Sequence, residues 1–277
     1  MKFFTDGRRA LLSGIALAAC MGFAFNAQAQ TCTVQNWTGG QPGLSDSDAG
    51  LQTGDGQNRR YGGPCGLQVD VDGTARFVTD DSPQSEGTYI ARFYAFLDNA
   101  GSGAVQVFGA DDGTNDQIQV WYNDPNAGDL TLRVYDNGGT PSDVTFTGVG
   151  TGWHSMEFVW EADAAAQPVF SLDGTDMMAA SMDTSGLSIV NAHLGNVNGA
   201  NTGGTVDFDD FDSRRIDRPG RLLVADANDD TSINVFDAIA VIGEYQSGMM
   251  TAGQPDCDEN GSINVFDAIC VIGTYQN

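Results

Sequence analysis

Between residues 32 and 218, apolar and polar positions alternate in short runs broken every few residues by Gly, Asn, Asp or Pro. Alternation sends successive side chains to opposite faces of an extended chain, so such runs predict half-buried strands. They fall at 66–70, 89–97, 104–108, 117–122, 130–135, 144–147, 153–160, 169–172, 187–194 and 205–211. Between them, Tyr135-Asp136-Asn137-Gly138-Gly139 and Leu172-Asp173-Gly174 carry the residues of tight hairpin turns. No long amphipathic helix interrupts the series. The pattern predicts a mainly β domain, an antiparallel β-sandwich of jelly-roll type, over residues 30–218.

After a short connection at 214–221 containing Pro219-Gly220, the period changes. Phe236, Ile239 and Ile242, and again Phe266, Ile269 and Ile272, recur at helical spacing, with Tyr245 and Tyr275 a turn further on. Residues 219–277 are therefore expected to form a small helical module.

The N-terminus is of a third kind. Lys2, Arg8 and Arg9 precede a sixteen-residue apolar stretch from Ala10 to Phe25, and Ala27-Gln28-Ala29 supplies small residues for cleavage before Gln30. This describes an export signal at 1–29, too short for a comfortable membrane span. A lipoprotein reading, anchored through Cys20 in Leu17-Ala18-Ala19-Cys20, stands as the alternative to free secretion.

Charge narrows the function. The 277 residues hold 12 Lys+Arg against 37 Asp+Glu, a formal net charge of −25. Such an excess excludes a nucleic-acid binder that tracks phosphates and argues against an anionic membrane surface. Only five of the acidic residues are Glu, and 36 residues are Gly. Aspartate is a short, turn-compatible oxygen ligand, which directs attention to cation-binding loops.

Two such loops stand 30 residues apart. Asp226, Asn228, Asp230, Ser232 and Asp237 occupy positions 1, 3, 5, 7 and 12 of the first; Asp256, Asp258, Asn260, Ser262 and Asp267 occupy them in the second. Oxygen ligands at these positions, with a backbone carbonyl at position 7, describe a loop wrapped around Ca²⁺. Two loops, each leading into one helix, resemble the type I dockerin module, over about 52 residues from Asp226 to Asn277. The resemblance implies two calcium sites and a cohesin-like or other surface partner. Position 6 normally needs Gly for a positive φ; Gly261 supplies it, whereas Thr231 in the first loop predicts weaker or distorted binding there. In dockerins, positions 10 and 11 contribute to cohesin recognition. Here they are Val235-Phe236 and Val265-Phe266, whose apolar character favours packing of the two helices over recognition.

An exported chain favours disulfides over metal thiolates. Cys32 and Cys65 are natural partners near the start of the mature chain. The 30-residue shift maps Cys257 and Cys270 onto Ala227 and Ala240, a paired change that predicts a Cys257–Cys270 bridge.

Within the β-domain, Trp153-His154-Ser155-Met156-Glu157-Phe158-Val159-Trp160 followed by Pro168-Val169-Phe170-Ser171-Leu172-Asp173-Gly174 resembles a strand pair of concanavalin-like jelly rolls, a class that includes laminin-G-like modules and laminarinase-type glucanases. The glucanases' Glu-x-Asp-x-x-Glu run is missing. Glu157 and Glu161 would share a strand face roughly 13 Å apart at about 3.3 Å per residue, too far for a retaining or inverting pair. His154 and His193 show no Ser/His/Asp constellation.

Alternation instead groups Gln117, Gln119 and Trp121 with Thr131, Arg133 and Tyr135 on one face, which Arg92 and Tyr94 could join from an earlier strand. Aromatic rings flanked by amide and guanidinium donors suit a polysaccharide; an ordinary sheet face is the alternative. The run Val206-Asp207-Phe208-Asp209-Asp210-Phe211 resembles the closing strand of jelly-roll binding modules, which implies a structural Ca²⁺ near Asp209 or Asp210. The expectation is an exported, non-catalytic glycan-binding or surface-attachment protein. A glycoside hydrolase docked through its C-terminus and a structural surface protein are the alternatives.

Overall fold

The computed structural model describes residues 44–46, 60–63, 65–80, 82–200, 202–248 and 250–276. The export signal, the Cys20 anchor and Cys32 lie outside these residues. Among the described residues thirteen strands run in chain order: β1 (Leu44–Asp46), β2 (Leu67–Asp70), β3 (Arg76–Asp80), β4 (Thr88–Phe96), β5 (Val105–Asp111), β6 (Asp116–Tyr122), β7 (Leu130–Tyr135), β8 (Pro141–Phe146), β9 (Trp153–Glu161), β10 (Val169–Leu172), β11 (Thr175–Met178), β12 (Asn191–Asn196) and β13 (Thr205–Arg214). They form a seven-stranded sheet, β1-β2-β13-β4-β9-β10-β11, and a six-stranded sheet, β3-β12-β5-β6-β7-β8. All pairings between these strands are antiparallel.

Inward residues of the two sheets meet in one core. Phe93 of β4 stacks on Phe108 of β5 at 5.7 Å between centroids, and Phe108 approaches Phe158 of β9 at 5.0 Å. Ile118, Val120, Leu130, Leu132 and Val134 close the core from the six-stranded side. The Asp173-Gly174 turn joins β10 to β11 with both residues at positive φ (51° and 84°), the geometry whose twist matches flanking strands. β11 and the short strands β1 and β3 lack a strong apolar alternation and were not legible beforehand.

Strand β4 is buried on both faces except at Thr88. Its outer face carries a second cluster: Tyr61, Tyr94, Phe96 and Trp153, with Leu222 packed against it. Tyr61 and Tyr94 stack at 3.6 Å. What covers this face is the C-terminal region, which holds α1 (Val235–Ser247) and α2 (Val265–Tyr275). The connection at 214–221 is pinned to the sheet: Arg92 donates to the Gly220 carbonyl at 3.0 Å, and the Gly220 N–H donates to Glu157 at 2.6 Å.

The helices pack through Ala238, Val241, Ala268 and Val271. Phe236 and Phe266 do not take part; they are 65% and 69% exposed. The expected helix–helix packing by these phenylalanines is thus corrected. Two small residues and two valines bring the helices together, and the phenylalanines stand on the opposite side. The Cys257–Cys270 disulfide is present. Cys65 is also disulfide-bonded.

Candidate metal centre and binding face

Both C-terminal loops are built by the same local devices. Position 1 anchors each turn: Asp226 accepts from the N–H groups of Asp230 (3.1 Å) and Thr231 (2.8 Å), and Asp256 from those of Asn260 (3.1 Å) and Gly261 (2.6 Å). Positions 4 and 6 are left-handed in both, at Asp229, Thr231, Glu259 and Gly261. Thr231 therefore adopts the strained φ of 68° that its position demands. Position 12 serves the helix as well as the loop. Asp237 and Asp267 accept from the N-cap N–H of Asn234 and Asn264 at 2.8 Å, while each Asn side chain accepts from the N–H two residues on. These are capping boxes, whose Asn-x-x-Asp signature is superimposed on the ligand pattern of the loops.

In the second loop, ligand atoms of Asp256, Asp258 and Asp267 lie within 4.8 Å of one another, the one such acidic, His or Cys triad among the described residues. Asp256 and Asp267 are almost wholly buried. Burial pushes the Asp256 carboxyl up to about 8; the Gly261 N–H opposes this, and the neighbouring Asp267 and Asp258 add to it. Asp267 is raised for the same reason, burial first. Crowded, desolvated carboxylates fit a hard divalent cation, whose charge would offset their repulsion.

In the first loop the equivalent positions hold Asp226, Asn228 and Asp237, so an amide stands where the second loop has its middle carboxylate. Asp230 accepts from the Ser232 N–H at 2.9 Å and from the Asn228 side chain at 3.1 Å, and so closes its own turn.

On the six-stranded sheet, Gln119 pairs with Arg133 and Trp121 with Thr131 across β6 and β7. The expected face exists, but it is tightly bonded. Gln119 accepts from Trp121 Nε1 at 2.9 Å and from the Tyr135 hydroxyl at 3.1 Å, while Arg133 forms a two-pronged pair with Asp143 at 2.8 and 2.9 Å. Trp121, Arg133 and Tyr135 are half-buried; Gln117 and Gln119 are buried. Arg92 and Tyr94 do not join them. Both sit on β4 in the other sheet, beneath the 214–222 segment, because the strand order places β4 and β6 in different sheets. The Tyr94 hydroxyl accepts from the Leu222 N–H at 2.8 Å.

Asp209 and Asp210 sit at a bulge in β13, where Asp210 has φ 48°. Asp209 accepts from the N–H groups of Tyr61 (2.6 Å) and Gly62 (3.1 Å). Burial, then the charge of Asp210, holds its carboxyl well above the usual range. No third carboxylate converges on this pair among the described residues.

The outer face of the seven-stranded sheet holds an arginine clamp that the sequence pattern did not indicate. Arg218 pairs with Glu157 and, at 2.7 and 2.9 Å, with Asp176, over a cavity of about 260 Å³. His154 bridges Asp173 (2.8 Å) and the Gly150 carbonyl (2.9 Å), and His193 bridges Asp111 and Thr79. His154 ties β9 to the β10–β11 turn, and His193 ties β12 to its two neighbours β3 and β5.

No protein-family model matches the chain, and no curated protein sequence matches it. Among solved structures, endo-beta-1,4-glucuronan lyase from the fungus Trichoderma reesei aligns with 14% identity and a TM-score of 0.47, over 65% of this chain and 91% of that one. The botulinum neurotoxin serotype G binding domain aligns with 11% identity and a TM-score of 0.39, over 59% of this chain and 45% of its own. The binding domain of Paraclostridial Mosquitocidal Protein 1 gives 12% and 0.42, over 63% and 44%. The chain thus spans less than half the length of the two toxin domains. These likenesses concern architecture and assign no ligand.

Proposed function

We propose that the chain is an exported, non-catalytic binding protein with a calcium-dependent C-terminal docking module of the dockerin-like kind. One observation carries this reading: Asp256, Asp258 and Asp267 converge within 4.8 Å at the spacing of a calcium loop. Asn260 and the Ser262 carbonyl would complete the second site, and Asp226, Asn228, Asp230, Ser232 and Asp237 the first. Calcium supplies the positive charge that lets the carboxylates stay ionised while buried, so its binding energy becomes folding energy. Calorimetry of the EDTA-treated chain against Ca²⁺ tests this. A binding heat with a gain in helix is expected, larger in loss for Asp267→Ala than for Asp237→Ala; no heat and no change in melting overturn the reading.

The docking surface is the apolar face left open by both helices: Phe236 and Ile239 on α1, Phe266 and Ile269 on α2, each more than half exposed. An apolar patch of this kind marks a partner site, here for a cohesin-like or other surface protein. The disulfide Cys257–Cys270 accords with an oxidising compartment. No described helix is long and apolar enough to cross a membrane.

The sandwich is read as a glycan-binding domain, supported by the contiguous face of Gln119, Trp121, Arg133 and Tyr135. A glycan array on the purified chain, repeated with Trp121→Ala, tests it. Binding lost in the variant is expected; a bare array, or binding indifferent to Trp121, removes this face as the site.

A further inference from the structure

At one end of the six-stranded sheet, three connections enclose a cleft of about 570 Å³: the β5–β6 hairpin with Asp112 and Asn115, the β7–β8 hairpin with Asp136 and Asn137, and the approach to β12 at Leu187. That volume is in the range of small-ligand sites. Gln117 and Tyr135 form the wall where the cleft meets the sheet.

The walls are held before any ligand arrives. Asp112 Oδ1 accepts from the N–H groups of Thr114 (2.9 Å) and Asn115 (2.7 Å), and Asp136 Oδ1 from those of Gly138 and Thr140, both at 2.8 Å. Asn137 ties the third connection to the second: its N–H donates to the Asp183 carbonyl at 2.8 Å and its side-chain oxygen accepts from Gly186 at 3.0 Å. Little ordering remains to oppose binding.

Acceptors predominate in this cleft. Three carboxylates, Asp112, Asp116 and Asp136, line it, and among the described residues no Lys or Arg does. Gln117 is only 3% exposed, and its Nε2 donates to Asp112 Oδ2 (3.3 Å) and the Asn115 carbonyl (3.1 Å). Its Oε1 finds no donor among the described residues. A buried acceptor left without a donor is a standing cost, which an incoming hydroxyl removes when the Gln117 amide turns toward the cleft. The three carboxylates do not converge as cation ligands: the triad Asp256, Asp258 and Asp267 is the one that does among the described residues. The ligand must therefore bring several O–H donors, carry no negative charge, and present an apolar face to Tyr135 and Leu187.

We propose that this cleft binds an uncharged, polyhydroxylated glycan and rejects uronate- or sulfate-bearing chains. The inference rests on the reading of the sandwich as a glycan-binding domain, and it moves the specificity-determining contacts from the middle of the sheet to its rim.

Calorimetry with neutral oligosaccharides (laminarihexaose, cellohexaose, mannohexaose) and with oligogalacturonate, on the purified calcium-loaded chain, tests it. Binding of at least one neutral oligomer and none of the uronate is expected. Gln117→Leu is expected to weaken that binding at least tenfold. Because Gln117 is buried, Thr114→Trp at the exposed hairpin tip serves as the second variant; it narrows the cleft mouth and is expected to weaken binding comparably with an unchanged melting temperature. Tighter binding of the uronate overturns the proposal. Loss of binding confined to Trp121→Ala, with both cleft variants at full affinity, also overturns it and leaves the glycan-binding reading standing. Absence of binding to every oligomer overturns both. A calcium stoichiometry that falls by one in Asp116→Asn makes the cleft a cation site and overturns the glycan assignment.

Discussion

Thr231 and Gly261 occupy the same loop position with the same left-handed backbone, at φ 68° and 83°. A β-branched residue there costs about 1–2 kcal/mol relative to an unstrained conformation. Thr231→Gly is accordingly expected to tighten the first calcium site by roughly tenfold, read by calcium titration of the Asp267→Ala background. Gly152 is the opposite case. It has φ 104°, and a Cβ would stand 2.4 Å from the Glu259 carbonyl oxygen. Gly152→Ala is expected to cost about 1–3 kcal/mol in chemical denaturation, through backbone strain at the seam between sandwich and C-terminal region.

His154 gives a pH dependence at the same scale. Burial lowers its affinity for a proton, but the hydrogen bond and charge of Asp173 outweigh this and leave its pKa raised above 6.5. Burial likewise opposes ionisation of Asp173, yet the His154 hydrogen bond holds its carboxyl below 3.8. The His term is fully present below about pH 6.5 and lost as pH rises through the raised folded value. The Asp term is present above about pH 3.8 and lost as pH falls through the depressed one. The melting temperature of His154→Gln should thus fall furthest below wild type between those limits and approach it at pH 9.

Among the elements, α1 and α2 divide their apolar residues between two jobs. Ala238, Val241, Ala268 and Val271 face inward, whereas Phe236, Ile239, Phe266 and Ile269 face out. A periodic apolar stripe could not reveal this division, because the helices are apolar on more than one side and the inner contact uses small residues. Phe236→Ser with Phe266→Ser is expected to leave the melting temperature within a few degrees of wild type, since exposed side chains contribute little to the core. The same pair is expected to abolish capture of a docking partner on a surface-protein library; a fall in melting above 10 °C would return these residues to a structural role. Strand β6 illustrates the reverse. Its alternation groups Gln117, Gln119 and Trp121 on one face, and the intervening Ile118 and Val120 fill the core from the other. Period two leaves no other arrangement once one side is buried.

For the whole molecule, the second acidic loop is also part of the sandwich's surface. Glu259, at loop position 4, accepts from the Tyr61 hydroxyl at 2.6 Å and Arg221 at 2.7 Å, and its carbonyl accepts from the Trp153 N–H at 2.8 Å. Arg60 pairs with Glu244 of α1 from the other side of the seam. A cation that orders this loop therefore supports the Tyr61, Tyr94 and Trp153 cluster. Saturating Ca²⁺ at about 100 times its Kd is worth about 2.7 kcal/mol, or roughly 5–10 °C in a chain of this size. EDTA should lower the melting followed by tryptophan fluorescence by that amount, and Glu259→Ala should uncouple the fluorescence transition from calcium.

Ten of the thirteen described strands, the two helices, the loop spacing and the Cys257–Cys270 pair could be written down from the order of residues. Each depends on local periodicity or on an internal repeat, and those are properties of neighbours in the chain. Tertiary structure alone decided which sheet each strand entered. It therefore separated Arg92 and Tyr94 from Trp121 and closed Arg218 over Glu157 and Asp176. It also gathered the rim cleft from connections some 75 residues apart, between Asp112 and Leu187. Contacts at such separation are set by how two sheets and a covering segment bury their apolar faces together, and nothing in the local alternation of a strand encodes its partner.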